Sequence, residues 1–211
     1  MKIRNIIFDL GNVLISFNPL EFLLKKEYPD NIRNTIMNDI FSSREWKALD
    51  NGDISTTEAI DSIAGKSSLT RHEIEHVFNL RRDIMFPLEK NTRLLPGLKK
   101  EGYGLYYLSN FPLDTFEQIR NDYYFFRFFD GGIISSEAKC SKPDIRIYRM
   151  ILDRYSLKAA ESLFIDDLPV NVQSAEAAGI KGLITFGAED ISGLLAEVLK
   201  PAPSGRSQKN V

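Results

Sequence analysis

"NIIFDLGNVLI" (residues 5–15) is an apolar run with a carboxylate set into it. Asp9 follows Ile6, Ile7 and Phe8 and is followed closely by Gly11 and Asn12. A short run of Ile and Phe that ends in turn residues reads as a buried strand. A carboxylate at its end is costly unless something pairs with it. Alone, Asp9 would read as a strand-end acid closing a turn through Gly11 and Asn12. Residues far along the chain give it company.

Further apolar runs end in the same way: "YGLYYLSN" (103–110), "SLFIDD" (162–167), "KGLITFG" (181–187) and the weaker "GGIISSE" (131–137). Helical patterns lie between most of them. "DIRIYRMILDRYS" (144–156) repeats its apolar residues at helical spacing, and "PVNVQSAEAAG" (169–179) opens with Pro and closes with Gly. Strands alternating with helices predict an α/β fold, a parallel sheet of Rossmann-like type with helices on both faces. Ligands bind such sheets at the carboxyl ends of the strands. Residues 16–90 break the alternation with short amphipathic helices and no clear strand. They are expected to form a helical insertion, with 1–15 and 91–199 making the core and the polar stretch 200–211 a disordered tail.

The composition suits this reading. Of 211 residues, 43% are hydrophobic and 27% charged, as in soluble globular proteins. A net charge of −2 gives no electrostatic case for nucleic acid or an anionic membrane. No apolar stretch approaches the ~20 residues of a spanning helix. The N-terminus runs straight into the first strand and is not a signal peptide. The lone Cys140 fits a reducing compartment, so a cytoplasmic location is expected. Nothing here speaks to the oligomeric state.

In a parallel sheet, the strand ends bring Asp9, Ser109, Asn110, Asp166 and Asp167 to one edge. Lys142, in the loop "KCSKPD", is within reach of them. Crowded carboxylates take up protons unless a cation sits among them. Mg²⁺ is the natural partner, because it uses one or two carboxylates together with substrate phosphate. A hydroxyl and an ammonium beside them bind anionic oxygens. The set points to phosphoryl transfer with Asp9 as a covalent nucleophile.

"FDLGNVL" (8–14), "YLSN" (107–110), "SKPD" (141–144) and "FIDDLPVN" (164–171) together resemble the haloacid dehalogenase superfamily of aspartate-nucleophile hydrolases. The motifs agree in order and spacing, and the insertion resembles that family's helical cap. The resemblance implies a Mg²⁺-dependent phosphatase acting on a small phosphorylated metabolite through an aspartyl-phosphate on Asp9. It implies a metal site from Asp9, the Gly11 carbonyl, Asp167 and, in support, Asp166. Ser109, Asn110 and Lys142 would hold the phosphate, and Asn171 would orient the acidic loop. Most phosphatases of the family carry a general acid two residues after the nucleophile; here that position is Gly11. "FDLGNVL" resembles a subgroup that includes sugar-1-phosphate phosphatases, which makes a sugar phosphate one expected substrate. The alternatives are a dehalogenase of the same superfamily and a non-catalytic ligand-binding scaffold.

Other motifs carry plainer readings. "RHEIEH" (71–76) matches H-E-x-x-H, but Thr70 and Glu73 read as a capping box on a surface helix. "YYFFRFF" (123–129) has a single basic residue and reads as core packing. Trp46 and Arg44 are candidates to line the substrate pocket, and Asp50 or Asp53 could supply a proton.

Overall fold

Five parallel strands form the central sheet of the computed structural model, which describes residues 2–186 and 190–199. They are β1 (Asn5–Phe8), β4 (Gly104–Ser109), β5 (Gly131–Ile134), β6 (Ser162–Asp166) and β7 (Lys181–Ile184), with β2 (Ile15–Phe17) and β3 (Met85–Pro87) lying outside the sheet. Their spatial order is β5-β4-β1-β6-β7, so connections run to opposite sides of β1. Each of the five sequence runs thus contains a strand. The expected tail at 200–211 lies outside the described residues.

Alternation in the strands feeds two cores. Ile6, Phe8, Leu105, Leu163 and Ile165 pack on one face; Ile7, Leu108 and Phe164 pack on the other. Burial on both faces is what a parallel sheet requires. The first face holds the aromatic stretch: Phe125 is fully buried, and Phe129 stands edge-on to Phe8 and Tyr107. The second is covered by two helices, Ile145–Arg154 and Pro169–Ala177, of which the first is capped by Asp144.

The insertion contains two strands that the sequence reading missed. β2 (Ile15–Phe17) pairs antiparallel with β3 (Met85–Pro87), with Phe17 opposite Met85. This ribbon joins the insertion to the core. Three residues per strand are too few for a periodic signal, and their partners lie far apart in sequence. Between them run α1 (Pro19–Lys25), α2 (Asp30–Ile36), a π-helical turn (Met37–Phe41), α3 (Arg44–Asp50), α4 (Thr56–Ala64), α5 (Arg71–Asn79) and α6 (Arg81–Ile84). They enclose a core of their own around Leu23, Ile40, Trp46, Ile63 and Phe78. Ser55–Glu58 and Thr70–Glu73 form full capping boxes. His72 and His76 are exposed on α5.

Polar contacts fasten the insertion to the core. Thr56 Oγ1 donates to Asp114 at 2.7 Å, and Ser141 Oγ donates to Asn51 Oδ1 at 2.6 Å. Lys139 Nζ donates to the Gly52 carbonyl, and Ser135 Oγ to that of Asp50. Among the described residues, no helix is long and apolar enough to cross a membrane.

Candidate active site

The carboxyl ends of β4, β1 and β6 meet where the strand order reverses, and the polar residues gather there. Asp9 directly follows β1, Ser109 ends β4, Asp166 ends β6 and Asp167 comes next. Lys142 arrives from the loop after the short helix Ser135–Ala138, which directly follows β5. Its buried ammonium lies 2.8 Å from Asp9 Oδ1 and 2.6 Å from Asp166 Oδ2. Ser109 Oγ also donates to Asp9 Oδ1 at 2.7 Å, as does the Leu10 N–H at 2.7 Å. Three donors thus converge on one oxygen of Asp9. Its other oxygen, Oδ2, receives no donor among the described residues, and Asp9 lines a cavity of about 300 Å³.

The two acids of "DD" separate by environment. Asp166 is wholly buried and saturated: Oδ1 accepts from the Leu168 N–H and Asn171 Nδ2, Oδ2 from Lys142 and Asn171 Nδ2. Asp167 is half-buried and lines the cavity, where Asn12 Nδ2 donates to Oδ2 at 3.2 Å. Neither caps the following helix, whose N-cap is Leu168. Asn12 adopts φ 53°, a left-handed conformation that Asn tolerates, and also accepts from the Phe17 N–H. Its link to Asp167 was not legible in the sequence, where it read only as a turn residue.

Asn110 is present but differently engaged than expected. Its amide accepts from the Lys142 N–H at 2.9 Å and donates to the Lys142 carbonyl at 3.0 Å. The side chain therefore fixes the lysine loop, and Asn110 still lines the cavity. Trp46 lines the cavity as well, but Arg44 points outward and pairs with Glu45. Asp50 is in the cavity wall and Asp53 is not.

Electrostatics set this edge apart. Burial, reinforced by Asp166, pushes the Asp9 carboxyl up to about 6 against the pull of Lys142. Burial also raises Asp167, with Asn12 opposing. Burial pulls the Lys142 ammonium down, but Asp9 and Asp166 outweigh this and raise it. Burial lifts Asp50 to about 7 despite Arg81. Asp9, Asp166 and Asp167 each place an oxygen within 4.8 Å of the others, the one such group of possible metal ligands among the described residues. With all three ionised, a single ammonium leaves two negative charges uncompensated. A divalent cation supplies that charge, and oxygen donors suit a hard ion. The residues present therefore fit Mg²⁺.

Fold and site define a three-layer α/β protein of Rossmann-like type, with a polar acidic edge at the switch point of its sheet. The model for haloacid dehalogenase-like hydrolases matches residues 3–179, and the chain belongs to that family. It is an enzyme of the hydrolase class. The chain is similar to a sesquiterpene phosphatase, astK, of Aspergillus oryzae, with 30% identity covering 84% of this chain and 87% of that protein. It is 24% identical to the drimenol cyclase drtB of Aspergillus calidoustus, spanning only 38% of that longer protein. Among solved structures, the enzyme BT-2542 of Bacteroides thetaiotaomicron, in complex with magnesium and inorganic phosphate, superposes with a TM-score of 0.70. Identity there is 25%, covering 91% of this chain and 98% of that one. A dehalogenase with a TM-score of 0.73 is 18% identical over 95% of this chain and 99% of its own, a likeness of fold.

Proposed function

We propose that this chain is a Mg²⁺-dependent phosphatase that transfers the phosphoryl group of a small phosphate monoester to Asp9. The observation that carries the reading is the one-sided environment of the Asp9 carboxyl. Three donors hold Oδ1, while Oδ2 receives none among the described residues, in a carboxylate that lines the cavity. Oδ2 attacks phosphorus, the P–O bond to the organic group breaks, and the alcohol departs. Water then cleaves the aspartyl-phosphate, releasing inorganic phosphate and restoring the carboxylate.

Asp9, Asp167 and the Gly11 carbonyl are the groups that would hold Mg²⁺, with Asp166 supporting them through Lys142. When bound, the ion neutralises charge on the phosphoryl oxygens. Lys142 supplies positive charge beside the nucleophile, Ser109 fixes the nucleophile's orientation, and Asn110 fixes Lys142. Asn171 holds Asp166. Residues 16–90 serve as a cap that covers the phosphate and excludes water.

The walls favour an apolar organic group over a sugar. Phe17, Trp46, Met85 and Phe111 contribute large apolar surface to the cavity wall. They offer a sugar's hydroxyls few partners. A sesquiterpene phosphatase among the relatives points the same way. The dehalogenase alternative fits less well, since Asp167 beside Asp9 repels a carboxylate nucleophile unless a cation intervenes.

A panel of phosphate esters, from sugar phosphates to prenyl phosphates, assayed with Mg²⁺ and with excess chelator, tests the reading. Phosphate release that requires Mg²⁺ and is fastest with apolar esters is the expected result. Halide release from 2-haloacids in excess chelator would contradict it.

A further inference from the structure

An in-line displacement by Asp9 expels the leaving oxygen away from the sheet edge, toward the insertion. That oxygen needs a proton. Residue 11, two places after the nucleophile, is glycine, and a Cβ there would meet only Asp9 Oδ2 at 4.0 Å. Lys142 is clasped by two carboxylates that tighten its hold on its proton. The carboxyl groups lining the cavity are Asp9, Asp167 and Asp50. The first is the nucleophile and the second belongs to the metal side.

We propose that Asp50, carried into the cavity by the C-terminal end of α3, is the general acid for the leaving group and the general base for the water that follows. This rests on the phosphatase reading above. Asp50 lies on the insertion, so the acid reaches the ester only with the cap in place. Its main-chain carbonyl is pinned by Ser135 Oγ, which fixes the residue against the core. Its carboxyl makes no hydrogen bond or ion pair among the described residues, so it is free to meet substrate.

The proton balance closes over one cycle. As the P–O bond to the organic group breaks, its electron pair passes to the leaving oxygen, which takes the Asp50 proton and departs as an alcohol. The Asp50 carboxylate then takes a proton from the water that attacks the aspartyl-phosphate. That restores the acid. Burial keeps the carboxyl protonated up to about pH 7. The charged groups around it are Arg81 of α6, itself paired with Asp114, and Lys142, Asp9 and Asp167, which line the same cavity.

The test compares p-nitrophenyl phosphate, whose leaving group needs no proton, with benzyl phosphate, whose leaving group does. General acid catalysis contributes roughly 10²–10⁴-fold, so Asp50→Asn should raise the p-nitrophenyl to benzyl ratio of kcat/KM by about 10²-fold or more. Asp50→Glu keeps a carboxyl and should move the ratio far less. In the wild type, kcat/KM for benzyl phosphate should fall above about pH 7 while that for p-nitrophenyl phosphate does not. An unchanged ratio in folded Asp50→Asn overturns the inference. If that variant does not fold, parallel wild-type pH profiles for the two esters overturn it. A wild type that releases phosphate from neither ester with Mg²⁺ present removes the phosphatase reading itself.

Discussion

Asp9 and Asp167 flank the same space with different degrees of freedom. Asp9 is held by three donors; Asp167 is held through one oxygen by Asn12. If Asp167 binds the ion, Asp167→Ala should raise the Mg²⁺ needed for half-maximal activity at least tenfold, read from titrations of phosphate release. An unaltered titration would assign the ion elsewhere. Lys142 carries a different burden. Its removal leaves Asp9 and Asp166 buried without their cation. Lys142→Met should lower stability by about 3–5 kcal/mol, measured by denaturant unfolding, and abolish turnover. At this scale the sequence was legible where a polar residue closes an apolar run, as at Asp9, Ser109 and Asp166. It was not legible where two polar side chains choose each other across the fold. Asn110 gripping the Lys142 backbone and Asn12 reaching Asp167 have no local pattern to betray them.

Gly52 shows what the insertion's attachment demands of one element. It has φ +72°, and a Cβ there would lie 2.5 Å from the Ser136 carbonyl oxygen. Backbone cannot yield as a side chain would, so Gly52→Ala should push the loop after α3 off the core. Asp50 would move with it. We expect kcat/KM to fall about tenfold or more, while far-ultraviolet circular dichroism stays that of a folded protein. Unchanged kinetics would show that the seam is not part of the working site. Within the insertion, Glu45 is buried on α3 and accepts from Lys66 at 2.6 Å, Arg44 at 3.0 Å and Ser62 at 3.1 Å. Burial pushes its carboxyl up, but these donors outweigh it and hold it at about 2, against 4.5 when unfolded. Its contribution is therefore complete above about pH 4.5 and is lost as pH falls toward 2. Glu45→Gln should cost about 1.5–3 kcal/mol at pH 7 and flatten the acid decline of the melting temperature. The capping box of α5 was legible because Thr70 and Glu73 are local, whereas the equally local Ser55–Glu58 box of α4 went unread. The β2–β3 ribbon could not be read, since it is defined only by its distant partner.

Across the whole molecule, sheet and insertion meet at one cavity. The sheet supplies the charge at its carboxyl edge, and the insertion supplies Trp46 and Asp50 from above. The strand order that places Asp9 between Ser109 and Asp166 follows from β1 lying at the centre of the sheet. Alternating strands and helices announced a parallel sheet with these residues at one edge, but the order of its strands has no local signal. The substrate was less legible, because the cavity wall is assembled from Phe17, Trp46, Met85 and Phe111 on separate segments. The account stands or falls on the covalent role of Asp9. Rapid mixing with a turned-over phosphate ester and Mg²⁺, acid quench within one turnover and mass spectrometry of the peptides measures it. The account predicts a phosphoryl group on the peptide containing Asp9, absent from Asp9→Asn, with turnover lowered more than ~10³-fold in that variant. Phosphate release from a folded Asp9→Asn variant at near wild-type rate, or a phosphoryl group on another residue, would contradict it.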